Sequence, residues 1–203
     1  LEQRTPEWLA WRTKGITATE SAVILGRNPY KTPWRLWCEK TGRADSPDLS
    51  ANPLVRFGRE NEDRVRQLFE AAHSEIVLPA CGESDADPIL RASFDGLTSV
   101  GEPVEIKCPS ETTIDEIRLI AEASPAFGLY SMQVQHQLLV SGAQRGWLVF
   151  YDRTKEELIE FEVVRDEKLI AEILSGCRDF WDRFIAKGKE PPKDPARDLY
   201  IPK

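Results

Sequence analysis

Val104-Glu105-Ile106-Lys107-Cys108 alternates strictly between apolar and charged residues. Side chains of a strand point to opposite faces in turn, so Glu105 and Lys107 emerge together on one face while Val104, Ile106 and Cys108 share the other. Upstream, Ser93-Phe94-Asp95-Gly96 sets an acid immediately before a glycine that reads as the end of a strand. Two adjacent strands joined through Gly96–Gly101 would bring Asp95 close to Glu105. Two carboxylates with a backbone carbonyl form an all-oxygen donor set, which suits a hard divalent cation, Mg²⁺ or Mn²⁺. Such a cation beside an ammonium group is equipment for phosphodiester hydrolysis, in which the lysine positions the attacking water and stabilises the developing anion. Glu-x-Lys is also a common ion pair on exposed strands, so its weight comes from the Asp-Gly upstream.

Three more polar side chains fall where a core should be. Glu62 shares a helical stripe with Gly58, Val65 and Phe69, and a carboxylate there must be compensated. It reads either as another metal ligand or as the partner of Arg59 or Arg66. Gln133 and Gln137 stand four apart and share a helix face. Glutamines on a buried helix often do no more than hydrogen-bond backbone.

The elements that must position these groups are marked by their caps. Thr5-Pro6-Glu7 opens a helix carrying Trp8, Trp11 and Arg12; Thr17-Ala18-Thr19-Glu20 fits a capping box; Thr32-Pro33 opens a third helix, with Gly42 beyond it as the stop. A longer helix follows Pro53 and runs through Ala72. The period then changes from 3.6 to 2, predicting strands over 75–79, 89–94 and 104–108, helices over 114–123 and 126–141, strands over 147–151 and 158–164, and a last helix over about 167–186. Helices before, within and after a small group of strands indicate an α/β fold with a central mixed sheet.

The 203 residues suit one domain, 1–203, with a basic helical part over 1–59 and an extended tail over about 187–203. Net charge is −7, yet residues 1–59 carry ten Lys and Arg against six Asp and Glu. A basic portion on an acidic body suits a protein that grips phosphate in one place and a metal in another; it is equally what chance leaves on a solvated surface. Cys38, Cys81, Cys108 and Cys177 lie far apart, which argues against a disulfide framework or a structural zinc. With no long apolar run, a soluble, cytoplasmic protein without a membrane partner is expected.

Five motifs in order carry a resemblance: Trp11-Arg12-Thr13-Lys14-Gly15-Ile16-Thr17-Ala18-Thr19-Glu20, Phe57-Gly58-Arg59-Glu60-Asn61-Glu62, Ser93-Phe94-Asp95-Gly96, Glu105-Ile106-Lys107-Cys108-Pro109 and Tyr130-Ser131-Met132-Gln133-Val134-Gln135. Together they resemble the PD-(D/E)xK nuclease superfamily, and within it the phage lambda exonuclease family with its YqaJ-type viral recombinases and alkaline exonucleases. The resemblance implies a restriction-endonuclease-like core, with Asp95, Glu105 and the Ile106 carbonyl as metal ligands, Glu62 as an additional acid, Lys107 as the catalytic lysine and Gln133 completing the centre. It implies an enzyme of bacterial or phage origin that degrades linear duplex DNA from the 5′ end and leaves a 3′ strand for recombination by annealing. Arg12, Thr19 and Ser93 would hold the 5′ phosphate, and Val55 would part the terminal base pair. Some members of the family form homotrimeric rings, and the resemblance implies such a ring here and a single-strand annealing protein as partner. An endonuclease on the same core, or a DNA-end-binding scaffold without catalysis, are the alternatives. Phe94 replaces the proline of the superfamily name, Thr19 replaces a frequent serine, and Lys14 would add positive charge near the phosphate pocket.

Overall fold

The first three helices begin where their caps predict, and the fourth follows Pro53 as its spacing predicts. In the computed structural model, which describes residues 1–199, Thr5 precedes α1 (Pro6–Thr13), Thr17 precedes α2 (Ala18–Ile24), Thr32 precedes α3 (Pro33–Lys40) and Asn52 precedes α4 (Pro53–His73). Proline at the first position of α1, α3 and α4 costs no hydrogen bond, since that N–H has no partner inside the helix. In α2, Glu20 reaches back to accept from the Thr17 N–H at 2.8 Å.

Six strands form one mixed sheet: β1 (Ile16–Thr17), β2 (Leu78–Glu83), β3 (Leu90–Leu97), β4 (Pro103–Lys107), β5 (Arg145–Asp152) and β6 (Glu157–Val164). The order is β1-β3-β4-β5-β6, with β2 also paired to β3, and β1–β3 and β4–β5 are the parallel pairs. Between β4 and β5 run α5 (Glu111–Ile120), a short 3₁₀ turn and α6 (Pro125–Ser141); α7 (Glu167–Phe180) closes the fold and continues as a π-helical turn over Trp181–Ala186. This is the central mixed sheet flanked by helices that the sequence predicts.

Three details differ from the sequence reading. The strand expected over 75–79 lies at 78–83, because Glu75 is used in the loop, where its carboxylate accepts from the Ser99 N–H at 2.9 Å. The two residues of β1 are too few to show a period. Asp95 lies inside β3 rather than at its end: Gly96 is a strand residue, and a Cβ there would sit 2.1 Å from Cγ1 of Val77. Its glycine serves close packing, not a turn. Of the C-terminal tail, 200–203 lie outside the described residues.

The alternation at β4 sorts the two faces. Val104 and Ile106 pack with Val65, Phe69, Val77, Val149 and Tyr151 in the core beneath α4. On the opposite face a larger core gathers α2, α3, α6 and α7 through Ile16, Trp37, Val134, Leu138, Phe150 and Ile173. Glu105 therefore projects beneath α6, a helix buried without interruption from Met132 to Leu139.

Candidate active site

The site opens at a break in the ladder of β3. β2 runs along one edge of that strand from Arg91 to Leu97. The other edge is shared: β1 pairs with Leu90 and Arg91, and β4 with Gly96 and Leu97, leaving 92–95 between them without a strand partner. The register puts Asp95 and Glu105 at the next positions, where β3 and β4 separate. Backbone groups freed by the break must find other partners. Asp95 Oδ2 accepts from the Ile106 N–H at 2.9 Å, and the Asp95 carbonyl accepts from Arg66 Nε at 3.0 Å. The break thus orients a carboxylate with the amide that a continuous sheet would have consumed.

Glu105 is 1% exposed and is held on both oxygens. Oε1 accepts from Lys107 Nζ and from Gln133 Nε2, the latter at 2.6 Å, while Oε2 accepts from Gln137 Nε2 at 2.6 Å. Lys107 lies 4.9 Å above the Tyr130 ring, a cation–π contact from α6 that adds to its fixed position. Burial alone would lower the Lys107 ammonium, but the charges of Glu105 and Asp95 outweigh it and hold it above its ordinary value. Burial first, and then the Glu105 charge, pushes the Asp95 carboxyl well above the usual carboxylate range. Two crowded carboxylates against one ammonium favour an added cation.

The donor set fits a hard divalent ion: Asp95, Glu105 and the carbonyl of Ile106, all oxygen, on facing strands. Among the described residues no three His, Cys, Asp or Glu side chains converge as a ready cluster. Glu62, the expected further acid, instead pairs with Arg4 and stands 3.7 Å from Arg66. Arg66 is one of the two arginine partners the sequence allowed; Arg4 comes from the start of the chain and was not foreseen.

Two cavities meet over this floor. The smaller, about 410 Å³, is lined by Arg12, Thr19, Ser93, Glu105 and Gln133 together with Asp95 and Lys107. The larger, about 910 Å³, is lined by Val55, Glu62 and Ile106, and again by Asp95 and Lys107. Gln137 borders neither cavity, but every site residue that the resemblance implies borders one or the other. Lys14 does not; it is the exposed C-cap of α1.

The smaller cavity has the character of an anion pocket. Arg12 stacks 4.5 Å over the Trp8 ring and lies 3.5 Å from Thr17 Oγ1, with no carboxylate in salt-bridge reach among the described residues. Burial lowers that guanidinium from its ordinary value, the price of holding it partly desolvated. Trp8 Nε1 also donates to Ser93 Oγ at 2.7 Å, which leaves the serine O–H free to donate. Trp8 and Arg59, which borders both cavities, were missed as site residues because only the folded chain brings α1 and α4 against β3.

Residues 7–144, a span holding all of these groups from Trp8 to Gln137, match the model of the YqaJ-like viral recombinase domain. The Bacillus subtilis (strain 168) protein YqaJ is 30% identical over 207 residues, covering 100% of this chain, and protein R354 of Acanthamoeba polyphaga mimivirus is 29% identical over 155 residues, covering 70%. The chain spans 64% of the length of the first relative and 27% of the second. Among solved structures, the alkaline exonuclease LHK-Exo from Laribacter hongkongensis, also determined in complex with dAMP, aligns with a TM-score of 0.75 at 27% identity, covering 90% of this chain and 94% of that one. A phage-related exonuclease from Haemophilus somnus 129PT shares the fold, with a TM-score of 0.63 at 13% identity over 86% of this chain and 96% of that one. The sheet and its helices are accordingly a PD-(D/E)xK-like core.

Proposed function

Since this chain belongs to the YqaJ-like viral recombinase domain family, we propose that it is an exonuclease that hydrolyses linear double-stranded DNA from its ends in the 5′-to-3′ direction, with Mg²⁺ as cofactor and Mn²⁺ as a substitute. The observation that carries this reading is the shared wall of the two cavities. Asp95 and Lys107 line both, so a strand end seated in the Arg12 pocket sets its first phosphodiester over the carboxylate pair.

The roles follow from the contacts. Asp95, Glu105 and the Ile106 carbonyl would hold the cation, with Glu62, which pairs with Arg4, as the additional acid beside them. When bound, such a cation supplies Lewis acidity toward water and the scissile phosphate. Lys107 orients the attacking water and stabilises the anion that develops on phosphorus, and Gln133 keeps Glu105 in place. Arg12, Thr19 and Ser93 seat the terminal 5′ phosphate, and Val55, in the first turn of α4, parts the end base pair. The dAMP complex of the Laribacter enzyme supports a nucleotide-sized site in this fold.

On the same reading 1–203 acts as a single nuclease domain in the cytoplasm of a bacterial or phage-infected cell, as a homotrimeric ring that leaves a 3′ strand for a single-strand annealing protein. No helix among the described residues is long and apolar enough to cross a membrane. Lys107→Ala tests the catalytic assignment. Digestion of linear duplex is expected to fall by about 10²-fold or more, the usual cost of losing a group that stabilises a developing anion, while the variant still binds DNA. Digestion at the wild-type rate would remove Lys107 from the mechanism.

A further inference from the structure

Gln137 is fully buried in the middle of α6, and its amide is oriented at its own expense. Nε2 donates to Glu105 Oε2 at 2.6 Å and approaches the Ser93 carbonyl at 3.4 Å, which leaves Gln137 Oε1 buried with no donor among the described residues. Turning the amide over would set that oxygen against a carboxylate, so the orphan follows from the contact to Glu105. Gln135, on the same helix, behaves as an ordinary structural glutamine: Nε2 donates to the Val164 carbonyl at 2.7 Å and Oε1 accepts from the Asp166 N–H at 3.0 Å. Buried polar groups left unsatisfied are rare in stable folds and concentrate where function requires them.

Resting on the metal-dependent reading above, we propose that Gln137 is a positioning residue for Glu105, presenting Oε2 to the divalent cation. A carboxylate offers about four acceptor directions, two on each oxygen. Lys107 and Gln133 take both on Oε1, and Gln137 takes one on Oε2. The direction left unused lies on Oε2. Gln137 holds that oxygen away from the ammonium and, through Ser93, ties the metal floor to the strand that borders the anion pocket. Without this amide, Glu105 is anchored on Oε1 alone and is free to turn toward Lys107.

The test is titration of the full chain with MnCl₂, read as free Mn²⁺ by electron paramagnetic resonance, alongside thermal melting without metal. Gln137→Met, close in volume and lacking the donor, is expected to raise the Mn²⁺ Kd about 10- to 100-fold, the usual effect of removing a partner that orients a ligand. Its metal-free Tm should change little, because the lost donor and the removed orphan acceptor act in opposite directions. Gln135→Met should do the reverse, lowering Tm and leaving the Kd unchanged. If Gln137→Met does not fold, Gln137→Asn, which retracts the donor by one carbon, should weaken Mn²⁺ binding in the same sense. Equal Kd values for wild type and a folded Gln137 variant would overturn the proposal while leaving the nuclease reading intact. A wild-type chain that takes up no Mn²⁺ would overturn both.

Discussion

Lys107 has two anions to neutralise and one ammonium with which to do it. On the proposed reading that imbalance suits the floor of the cavities to an added cation rather than to a finished ion pair, and the simple reading of Glu-x-Lys as a surface bridge fails because Glu105 is buried and doubly held by glutamines, which a surface bridge does not need. Arg12 poses the opposite problem, a partly desolvated cation stacked on an aromatic ring, with no carboxylate in salt-bridge reach among the described residues. A terminal phosphate would complete it. Arg12→Ala is therefore expected to reduce the preference for 5′-phosphorylated over 5′-hydroxyl ends by roughly 1.5–3 kcal/mol, or about 10- to 150-fold, the range of a charged hydrogen bond. Comparing initial digestion rates on the two kinds of end, for wild type and variant, measures this. Unchanged relative rates would mean that Arg12 does not read the phosphate.

At the scale of elements, the site depends on β1 and β4 meeting β3 from the same side without touching each other. β1 comes close because residue 15 is glycine: a Cβ there would lie 2.3 Å from the Ile89 carbonyl oxygen. α6 is then fastened to β3 and α2 by His136, which bonds Arg91 O at 3.1 Å through Nε2 and Ser21 Oγ through Nδ1. Burial lowers the His136 pKa from 6.5 to about 4. The sign follows directly: between these values the unfolded chain binds a proton that the folded one refuses, so stability is present above pH 6.5 and is lost as pH falls toward 4. The loss is on the order of 3 kcal/mol at about 1.4 kcal/mol per pKa unit. Urea denaturation at pH 7.5 and 4.5 should show it, and His136→Asn, which cannot titrate, should flatten the difference; an equal pH dependence in that variant would place the effect elsewhere. The helices were legible because their starts are written in Thr-Pro and the capping box, and in the helical spacing that follows Pro53. β1 was not, having two residues, and β2 was misplaced because Ile76 and Val77 carry the apolar character of a strand while serving a loop and the contact with Gly96. In the site, alternation was enough to pair Glu105 with Lys107. It gave no means of finding Arg4, Trp8 or Arg59, whose approach to the site depends on long-range packing.

The whole molecule places an anion pocket and a carboxylate floor along one wall, on a chain whose net charge of −7 is distributed against its basic first 59 residues. The walls of a bare restriction-endonuclease-like core would serve an internal phosphodiester as well as a terminal one. What argues for ends is the pocket, in which Arg12, Thr19 and Ser93 gather beside Asp95 rather than along an open groove. Digestion of one duplex sequence supplied as a linear molecule and as a covalently closed circle, each with and without Mg²⁺, tests this most directly. Progressive loss of the linear form is expected only when Mg²⁺ is present, with the circle intact under both conditions. Cleavage of the closed circle, or digestion of the linear form at the same rate without any divalent cation, would contradict it.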